Sequence, residues 1–326
     1  MSDARLPNVV ADVGGTNTRV AIAHGGDVDI ATIRRFRNAA HSDLGAVLAT
    51  FLAEGDHGKC AGTCVAVAGP VMDGIGRLTN LDWVIDRPTL AECTGAGTVA
   101  ILNDLQAQGH ALDHIAPASL KPIVEGPAEG THDAKLVIGC GTGFNAVPVF
   151  RTETGRYVPP CECGHATLPV LSDEDVSLAR YVTTAHGFPG IEDVLSGRGF
   201  ERVYAWASGE DRRLGSAEIM AAIEDGSDPD ALRAAKAFCR TFGRVTGDLA
   251  LTHLPFGGIY LIGGMTQALA PHLVRFGFAE AMRTKGRFST FMERFAVWTI
   301  EDDYAALTGC AHHLSGLMDP VPRADL

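Results

Sequence analysis

The chain has 326 residues, of which 46% are hydrophobic and 20% charged, a composition typical of a folded globular protein with room for two domains. Its formal net charge of −12 argues against nucleic acid or an anionic membrane as the main partner. Any bound phosphates must then be held by backbone N–H groups and a metal ion. The 8 cysteines show no disulfide-scaffold spacing and no signal peptide precedes the first strand, so a cytoplasmic protein is expected.

The first predicted elements are two strands, Asn8–Val13 and Arg19–His24, whose connection is richer in glycine than a hairpin requires. It follows Asp12 and Val13 and reads Gly14-Gly15-Thr16-Asn17. Glycines let backbone amides approach an anion closely, with dihedral angles that side chains forbid. The chain has no G-x-x-x-x-G-K-[ST] motif, so a P-loop is excluded and this turn is a separate candidate for binding phosphate.

Strand and helix patterns then alternate as in an α/β domain. A helix is predicted near Asp43–Glu54, a buried strand over Cys64–Val71, and a strand turning into a helix within Val99–Leu112. The strand-to-helix change falls at Asn103–Asp104, where loops of such domains gather. An Asn-Asp pair at this point is read either as a helix cap or as a general base with its neighbouring hydrogen-bonding group.

The opening pattern returns after Pro117–Asp133, a stretch with the composition of a loop or linker. Val9–Ala23 and Leu136–Phe150 each consist of an apolar strand, a Gly/Thr turn and a second apolar strand. The matched position of the turn predicts a twofold internal repeat. Paired hairpins of this kind resemble those of the sugar kinase, Hsp70 and actin superfamily, in which two like domains face each other across a cleft and each contributes a hairpin to the phosphates of ATP.

The second half is predicted to be more helical, and it includes an uncharged stretch that needs a membrane check. The predicted elements are helices over Ser172–Thr184, Ala217–Glu224, from Asp228 onward and over Tyr304–Leu314, and strands over Ile259–Met265 and Phe295–Ile300. The uncharged stretch, Leu249–Val274, contains prolines and diglycines. These break it into a helix end, a short strand and a helix start, so no membrane span is predicted.

A series of motifs in a fixed order carries a more specific resemblance. They are DVGGTN (12–17), LTNLDW (78–83), ILND (101–104), GTG (141–143), ECGH (162–165), IEDVLSGRG (191–199), LIGG (261–264), KGRF (285–288) and TGCAHHL (308–314). Together they resemble the bacterial glucokinase family over nearly the whole chain. The resemblance implies an α/β, two-domain ribonuclease H-like (actin-like ATPase) fold with a central cleft. It places the small domain at residues 1–110 plus 305–326 and the large domain at 111–304.

The resemblance also implies an activity, the ATP-dependent phosphorylation of glucose to glucose 6-phosphate, and residue roles. Asp104 would be the catalytic base, because phosphoryl transfer needs a group within hydrogen-bond reach of the acceptor hydroxyl. Asp12 would orient Mg²⁺ through water. The implied substrate-binding residues are Asn80, Asn103, Asp104, Glu162, His165 and Glu192. The implied ATP-binding residues are Asp12, Gly14, Gly15, Thr16, Asn17, Gly141, Thr142, Gly143, Gly263 and Gly264.

Two segments depart from the family pattern. The CECGH segment (Cys161–His165) has cysteines where the family commonly has glycines. Its Cys161, Cys163 and His165 are three possible zinc ligands, although the following residues offer no fourth Cys or His. Phe144-Asn145 replaces a Leu-Gly pair next to the second turn, which leaves the preferred hexose and the phosphoryl donor open.

The implied partners are glucose or a related hexose and, as a homodimer, a second copy of the chain; nucleic acid and membrane are not expected. Two alternatives stay open, a hexokinase of other sugar preference and a non-catalytic hexose-sensing regulator. The eleven residues before Asp12 are too few for the DNA-binding domain that such regulators place there, which favours the kinase. Taken singly, Glu192 could be a surface carboxylate and His165 a structural histidine.

Overall fold

The computed structural model describes residues 6–78, 81–127, 133–152, 155–209 and 214–318. The strands are β1 (Asn8–Val13), β2 (Asn17–His24), β3 (Asp27–Val28), β4 (Arg34–Arg37), β5 (Gly62–Val67), β6 (Val71–Met72), β7 (Ile75–Arg77), β8 (Val84–Asp86), β9 (Thr98–Asn103), β10 (Leu120–Val124), β11 (Lys135–Cys140), β12 (Phe144–Thr152), β13 (Gly155–Tyr157), β14 (Ile259–Ile262) and β15 (Val297–Ile300). The helices are α1 (Leu44–Glu54), α2 (Arg87–Thr94), α3 (Asp104–Ala111), α4 (Asp173–His186), α5 (Gly197–Ser208), α6 (Ser216–Asp225), α7 (Pro229–His253), α8 (Gly264–Leu269), α9 (Phe278–Arg283) and α10 (Ala305–Met318). Short 3₁₀ helices cover Ile30–Thr32, Asn38–Ala40, Leu112–His114, Pro117–Ser119, Cys163–His165, Gly286–Phe288 and Phe291–Arg294.

The chain folds into two compact units, each built on one large sheet, and the three-stranded sheet β6-β7-β8 belongs to the first unit. The first comprises Met1–Ala116, Arg151–Pro160 and Asp302–Leu326, and the second comprises Pro117–Phe150 and Cys161–Glu301. Helix α10 therefore belongs with the N-terminal strands.

The sheet of the first unit has the strand order β3-β2-β1-β5-β9, with β4 also paired to β2. β1 pairs with β2 antiparallel, whereas β1, β5 and β9 run parallel. Val13 lies opposite Val67, and Val67 lies opposite Asn103, so the three parallel strands end at the same level. The loops that follow them consequently gather at one edge of the sheet.

Both faces of this sheet are covered by helices, because successive side chains of a strand point to opposite faces. Val9 and Ala11 pack in a core with residues of α1 and α2, whereas Val10 packs in a second core with α3 and α10. Helices α3 and α10 approach so closely that a Cβ added at Gly309 would lie 1.7 Å from the carbonyl oxygen of Ala107. A glycine is required at that contact.

Four histidines lie where α10 meets α3 and its 3₁₀ extension. The rings of His114 and His312 stack with centroids 3.2 Å apart, and those of His110 and His313 lie 4.4 Å apart. Burial and the neighbouring imidazole and Arg156 charges lower the pKa of His110 to about 3 and that of His312 to about 4. The cluster is therefore packed with neutral rings at pH 7.

The sheet of the second unit repeats this arrangement. Its strand order is β10-β15-β14-β11-β12, in which β11 pairs with β12 antiparallel and β11, β14 and β15 are parallel. The order β12-β11-β14-β15 thus matches β2-β1-β5-β9 of the first unit. The predicted internal repeat of two hairpins is confirmed.

The core of the second unit is built on aromatic side chains between the sheet and helices α5 and α7. Phe144 contacts Phe242 edge to face at a centroid distance of 6.0 Å, and Phe238 continues the contacts from Phe242 to Phe200. Edge-to-face pairs of this kind stabilise a core beyond the burial of their area. Phe144, the first residue of the Phe144-Asn145 departure, is therefore a core side chain, 3% exposed.

Several elements differ from the sequence predictions: the strand predicted over Cys64–Val71 is β5 (Gly62–Val67), and helices α2 and α9 were not predicted, nor were the two elements described next. Strand β10 lies inside the stretch predicted as a loop, where it pairs with β15 at the edge of the sheet. Its Pro122 lacks an N–H group, which an edge strand tolerates. Because proline argues against a strand in a sequence, β10 was not predicted. Helix α5 was not predicted because Gly197 and Gly199 occupy its first turn; Ser196 caps it by accepting a hydrogen bond from the Gly199 N–H at 2.9 Å.

The uncharged stretch Leu249–Val274 contains the end of α7, strand β14 and helix α8, as predicted. Across the described residues, every helix is too short or too polar to span a membrane.

Candidate active site

The first glycine turn, Gly14–Thr16, connects β1 to β2 and is held by a buried asparagine. The N–H of Gly14 donates to the Asn17 carbonyl at 3.0 Å and closes the turn. The side chain of Asn38, 1% exposed, donates to the Gly14 carbonyl at 2.7 Å, and its backbone N–H donates to the Thr16 carbonyl at 3.0 Å. Asn38 accepts in turn from the Thr18 hydroxyl at 2.8 Å. The turn is therefore rigid while Thr16 stays exposed.

Asp12 lies on β1 just before this turn. Its Oδ2 accepts a hydrogen bond from Arg19 Nη1 on β2 at 3.3 Å. Burial raises the pKa of Asp12, and the Arg19 charge partly opposes that shift. Mg²⁺ prefers oxygen ligands such as carboxylates, so the chemistry of Asp12 is compatible with the predicted role, which stays a prediction.

Asn103 and Asp104 stand where β9 passes into α3, as predicted. Asn103 caps the helix: its Oδ1 accepts from the Leu105 N–H at 2.9 Å, and its own N–H donates to Gln106 Oε1 at 3.1 Å. Its side-chain amide also donates to the Gly69 carbonyl at 3.1 Å, in the loop after β5. Asp104 Oδ1 accepts from the Leu105 N–H at 2.8 Å. The predicted capping role of this pair is confirmed, and its predicted catalytic role stays a prediction.

The register of the first sheet places Asp104 near the first glycine turn. Val13 and Asn103 are separated by β5 alone, and adjacent strands lie about 4.8 Å apart. The residues after these strands therefore begin about 10 Å apart at the same edge. Asp104 and the first glycine turn therefore lie at the same edge of the sheet.

The second glycine turn, Gly141–Gly143, connects β11 to β12 and is tied to Glu192. The Gly141 N–H donates to the Gly143 carbonyl at 2.9 Å, and Glu192 Oε2 accepts from the Phe144 N–H at 2.8 Å. A Cβ at Gly143 would lie 2.6 Å from that carboxylate oxygen. The Gly141 carbonyl also accepts from the Gly197 N–H at the start of α5. This turn is thus fixed from two sides, with Thr142 exposed.

Gly263 and Gly264 connect β14 to α8 beside the second glycine turn. Gly263 has φ of 99°, a conformation that favours glycine, and a Cβ there would lie 2.4 Å from the Cys140 carbonyl oxygen. Around Gly264 there is open space. The pair therefore leaves a bare backbone surface next to the predicted phosphate turn.

The CECGH segment carries Glu162 and His165, and Asn145 holds it against β12. The Asn145 side-chain amide donates to the Cys161 carbonyl, and its Oδ1 accepts from the Cys163 N–H at 3.2 Å. These two hydrogen bonds bracket Glu162, whose side chain is exposed like that of His165. Asn145 is therefore the residue that fixes the backbone on both sides of Glu162.

Backbone hydrogen bonds bring Glu192 to the same segment. The Glu192 N–H donates to the Gly164 carbonyl at 2.8 Å. Gly164 has no room for a side chain, because a Cβ would lie 2.0 Å from the Phe144 carbonyl oxygen. Three predicted sugar-binding residues of the second unit, Glu162, His165 and Glu192, are thereby gathered around one short turn.

The predicted site residues thus form one group in each unit. Asp12, the first glycine turn, Asn17, Asn103 and Asp104 belong to the first. The second glycine turn, the CECGH segment, Glu192 and Gly263–Gly264 belong to the second. Asn80 lies outside the described residues. No group of three or more His, Cys, Asp or Glu side chains is arranged to hold a metal ion within the described ranges, so zinc at the CECGH segment has no support.

Sequence reasoning missed Asn38 and did not assign a contact to Asn145. Both are asparagines that hold a loop by hydrogen bonds to its backbone, one 24 residues and the other 16 to 18 residues away in sequence. The only signal available was the unusual position of Asn145 beside the second turn.

The repeated strand order, with an antiparallel hairpin followed by parallel strands and helices, defines an α/β protein of the ribonuclease H-like, actin-like ATPase fold. The family model described as Glucokinase matches residues 9–317. The chain is 32% identical over 312 residues to the glucokinase of Nitrobacter hamburgensis, covering 93% of this chain and 96% of that protein.

Solved structures of other proteins share this fold. The crystal structure of glucokinase from an Antarctic psychrotroph has a TM-score of 0.84 at 27% identity, covering 95% of this chain and 98% of that one. A ROK family glucokinase from Streptomyces griseus, in complex with glucose and AMPPNP, shares the fold with a TM-score of 0.62 at 17% identity, covering 94% of this chain and 99% of that one. The chain belongs to the glucokinase family.

Proposed function

We propose that this protein transfers the γ-phosphate of ATP to the 6-hydroxyl of glucose, forming glucose 6-phosphate and ADP. The observation that carries the proposal is the common level of Val13, Val67 and Asn103, which puts Asp104 and the first glycine turn at one sheet edge. Positioning of the acceptor relative to the phosphoryl group is the main demand of this chemistry. Family membership supports glucose as the acceptor.

Asp104 accepts the proton of the 6-hydroxyl as that oxygen attacks the γ-phosphate. The Leu105 N–H engages its Oδ1 and holds the carboxylate at the start of α3. Asn103, fixed by the capping interactions and by Gly69, offers its side chain to the neighbouring hydroxyl. The base therefore stands on a rigid element, as a reaction governed by positioning requires.

The remaining hydroxyls are bound by Asn80, Glu162, His165 and Glu192. Carboxylates that accept from two hydroxyls, combined with a donor, suit vicinal diols. Glu192 binds the Phe144 N–H through Oε2, and we assign Oε1 to the sugar. The Phe144 side chain is buried in the core, so of Phe144 and Asn145 only Asn145 directs its side chain to the CECGH segment.

The exposed amides of the two glycine turns bind the phosphates of ATP, and Gly263–Gly264 lies against the adenosine. Asp12 would hold Mg²⁺ through water, and the ion would supply the positive charge that spreads over the transferring phosphoryl group. The net charge of −12 makes such backbone and metal binding necessary.

The remaining expectations complete the proposal. Apart from Arg151–Pro160, which belongs to the first compact unit, we assign the functional domains to residues 1–110 plus 305–326 and to residues 111–304. The protein works in the cytoplasm, at the first step of glycolysis, as a homodimer. Its 8 cysteines are free thiols, which suits a reducing compartment.

The test is ADP release by the purified protein with Mg-ATP against glucose, fructose, mannose, galactose and N-acetylglucosamine. Asp104→Asn keeps an acceptor for the Leu105 N–H but removes the base, so turnover with glucose should fall about 10²- to 10⁴-fold. The matched control is Asp86→Asn, which replaces the aspartate that accepts from the Thr89 N–H at 2.9 Å and caps α2. It should leave turnover unchanged.

Three other outcomes would change the assignment. Turnover with another hexose in preference to glucose would make the protein a hexokinase of different specificity. Full activity of Asp104→Asn would remove Asp104 as the base. Stabilisation by a sugar in thermal unfolding, without turnover, would identify a hexose-sensing protein.

A further inference from the structure

Two thiols of the CECGH segment have no role in the proposed reaction. Cys161 and Cys163 are both half-buried and free, and they flank Glu162. Each thiol shifts the pKa of the other through a side-chain interaction, so the two sulfur atoms lie close together. The Cys163 sulfur also lies 3.6 Å from Asn145 Oδ1.

The environment of this pair differs from that of the buried thiols in the same unit. The interaction with Cys163 lowers the pKa of Cys161 below the usual thiol value, which favours its thiolate form. Burial raises the pKa of Cys239 to about 12. A half-buried thiolate reacts with disulfides, whereas a deeply buried neutral thiol is inert.

The backbone between the two cysteines permits them to join. A disulfide requires Cα atoms within about 7 Å, the span of three fully extended residues. Glu162 has φ of −133° and ψ of 46°, and the next residues form the 3₁₀ helix Cys163–His165. The chain is therefore bent at Glu162, which brings the flanking Cα atoms below that limit.

We propose that Cys161 is a modification site for low-molecular-weight disulfides, and that Cys163 resolves the adduct to form a Cys161–Cys163 disulfide. The Cys161 thiolate attacks one sulfur of the disulfide RSSR, the S–S bond breaks, and RS⁻ leaves. Cys163 gives its proton to RS⁻, and its sulfur then attacks the Cys161 sulfur and displaces the second RS⁻, which takes up a proton from water. Two protein thiols are oxidised and RSSR is reduced to two thiols.

The first step prepares the second. The pKa of Cys163 is raised by its hydrogen bond to Cys161, by burial and by the Cys161 charge. Once Cys161 is bound in the mixed disulfide, it carries no charge and no longer raises the pKa of Cys163. The resolving thiol is then easier to ionise, next to the sulfur that it must attack.

Closure changes the position of Glu162, a consequence that rests on the proposed function. Asn145 holds the Cys161 carbonyl and the Cys163 N–H in their present places. A Cys161–Cys163 disulfide closes a small ring through Glu162, and we expect the torsion angle that an S–S bond prefers to shift this backbone from the position that Asn145 holds. The carboxylate therefore turns away from the sugar, and glucose binding weakens.

The test treats the reduced full-length protein with oxidised glutathione and follows intact mass and peptide maps. The wild type should lose two hydrogens at Cys161–Cys163, Cys163→Ser should stop with one glutathione on Cys161, and Cys161→Ser should gain neither. Cys93→Ser is the matched control, because Cys93 is a half-buried thiol of the first unit whose pKa burial raises. It should react like the wild type, and Cys161 should react about tenfold faster than Cys93 at pH 7.

The mass readout decides the thiol chemistry whether or not the protein is a kinase. Reaction at Cys93 as fast as at Cys161, or a wild type that stays at the mixed disulfide, would overturn the proposal. In the activity assay, oxidation should raise the KM for glucose about tenfold and leave the KM for ATP unchanged, with recovery on reduction. A closed disulfide with an unchanged KM would overturn the link to Glu162 and leave the proposed kinase activity intact.

Discussion

The two hydrogen bonds of Asn145 on either side of Glu162, here called the bracket, can be tested by substituting Asn145. In Asn145→Ala, the Cys161 carbonyl loses its donor and the Cys163 N–H loses its acceptor. Neither group belongs to the second glycine turn, which is held separately through Glu192 Oε2 and the Gly197 N–H. The substitution should therefore loosen the sugar-binding segment and spare the phosphate turn.

The magnitude follows from the two lost interactions. A hydrogen bond of this kind contributes about 0.5–1.5 kcal/mol net, so both together restrain the segment by about 1–3 kcal/mol. If glucose must order the CECGH segment that Asn145 ordered before, this energy is subtracted from the free energy of glucose binding. At about 1.4 kcal/mol per tenfold, the KM for glucose should rise about 5- to 140-fold.

The assay is steady-state turnover with glucose and ATP varied in turn, and Asn38→Ala is the reciprocal control. Asn38 holds the first glycine turn as Asn145 holds the CECGH segment, through the Gly14 carbonyl. Its loss should raise the KM for ATP and leave that for glucose nearly unchanged. Equal rises in both KM values in both variants, or an Asn145→Ala enzyme with the wild-type KM for glucose, would refute the reasoning.

Two further predictions concern the first unit. Gly309→Ala should lower the free energy of unfolding by about 3 kcal/mol or more, because its Cβ would lie 1.7 Å from the Ala107 carbonyl oxygen. Gly316→Ala on the same helix has open space and should instead be neutral or stabilising by up to about 1 kcal/mol; urea unfolding of both variants measures the contrast. The free energy of unfolding should also fall as the pH drops from about 6.5 to 4. In this range the unfolded chain protonates its histidines, whereas the folded protein keeps His110 neutral until about pH 3 and His312 neutral until about pH 4. Urea midpoints against pH check this, and a His110→Gln/His312→Gln variant with the same slope as the wild type would contradict it.

The hairpins and helix starts were predictable because local chemistry dictates them. The Gly14 and Gly141 turns each connect two strands of mainly buried residues, and glycines between two apolar runs indicate a turn. Asp43 and Asp228 accept hydrogen bonds from the first-turn N–H groups of α1 and α7, as their positions before apolar helices predict. Such signals lie within a few residues of the structure that they determine.

The residues that hold the loops, such as Asn38, and strand β10 could not be predicted from local sequence signals, because their partners are distant in sequence. Asn38 follows β4, and no local pattern connects it with Gly14. Strand β10 is formed only through pairing with Val297–Ile300, far along the chain. Tertiary contacts override local composition at such positions.

The two departures from the family pattern turn out to be one feature of the structure. Asn145 is the unusual residue next to the second turn, and the cysteines are the unusual residues around Glu162; the Asn145 side chain joins them by hydrogen bonds to Cys161 and Cys163. A glycine at position 145 could make none of these contacts. The thiol pair and Asn145 should therefore be tested together. An Asn145→Gly protein should still form the Cys161–Cys163 disulfide. Its glucose binding, already weakened by the substitution, should respond less to oxidation than that of the wild type. An undiminished response in Asn145→Gly would show that oxidation acts on Glu162 by a route other than the bracket.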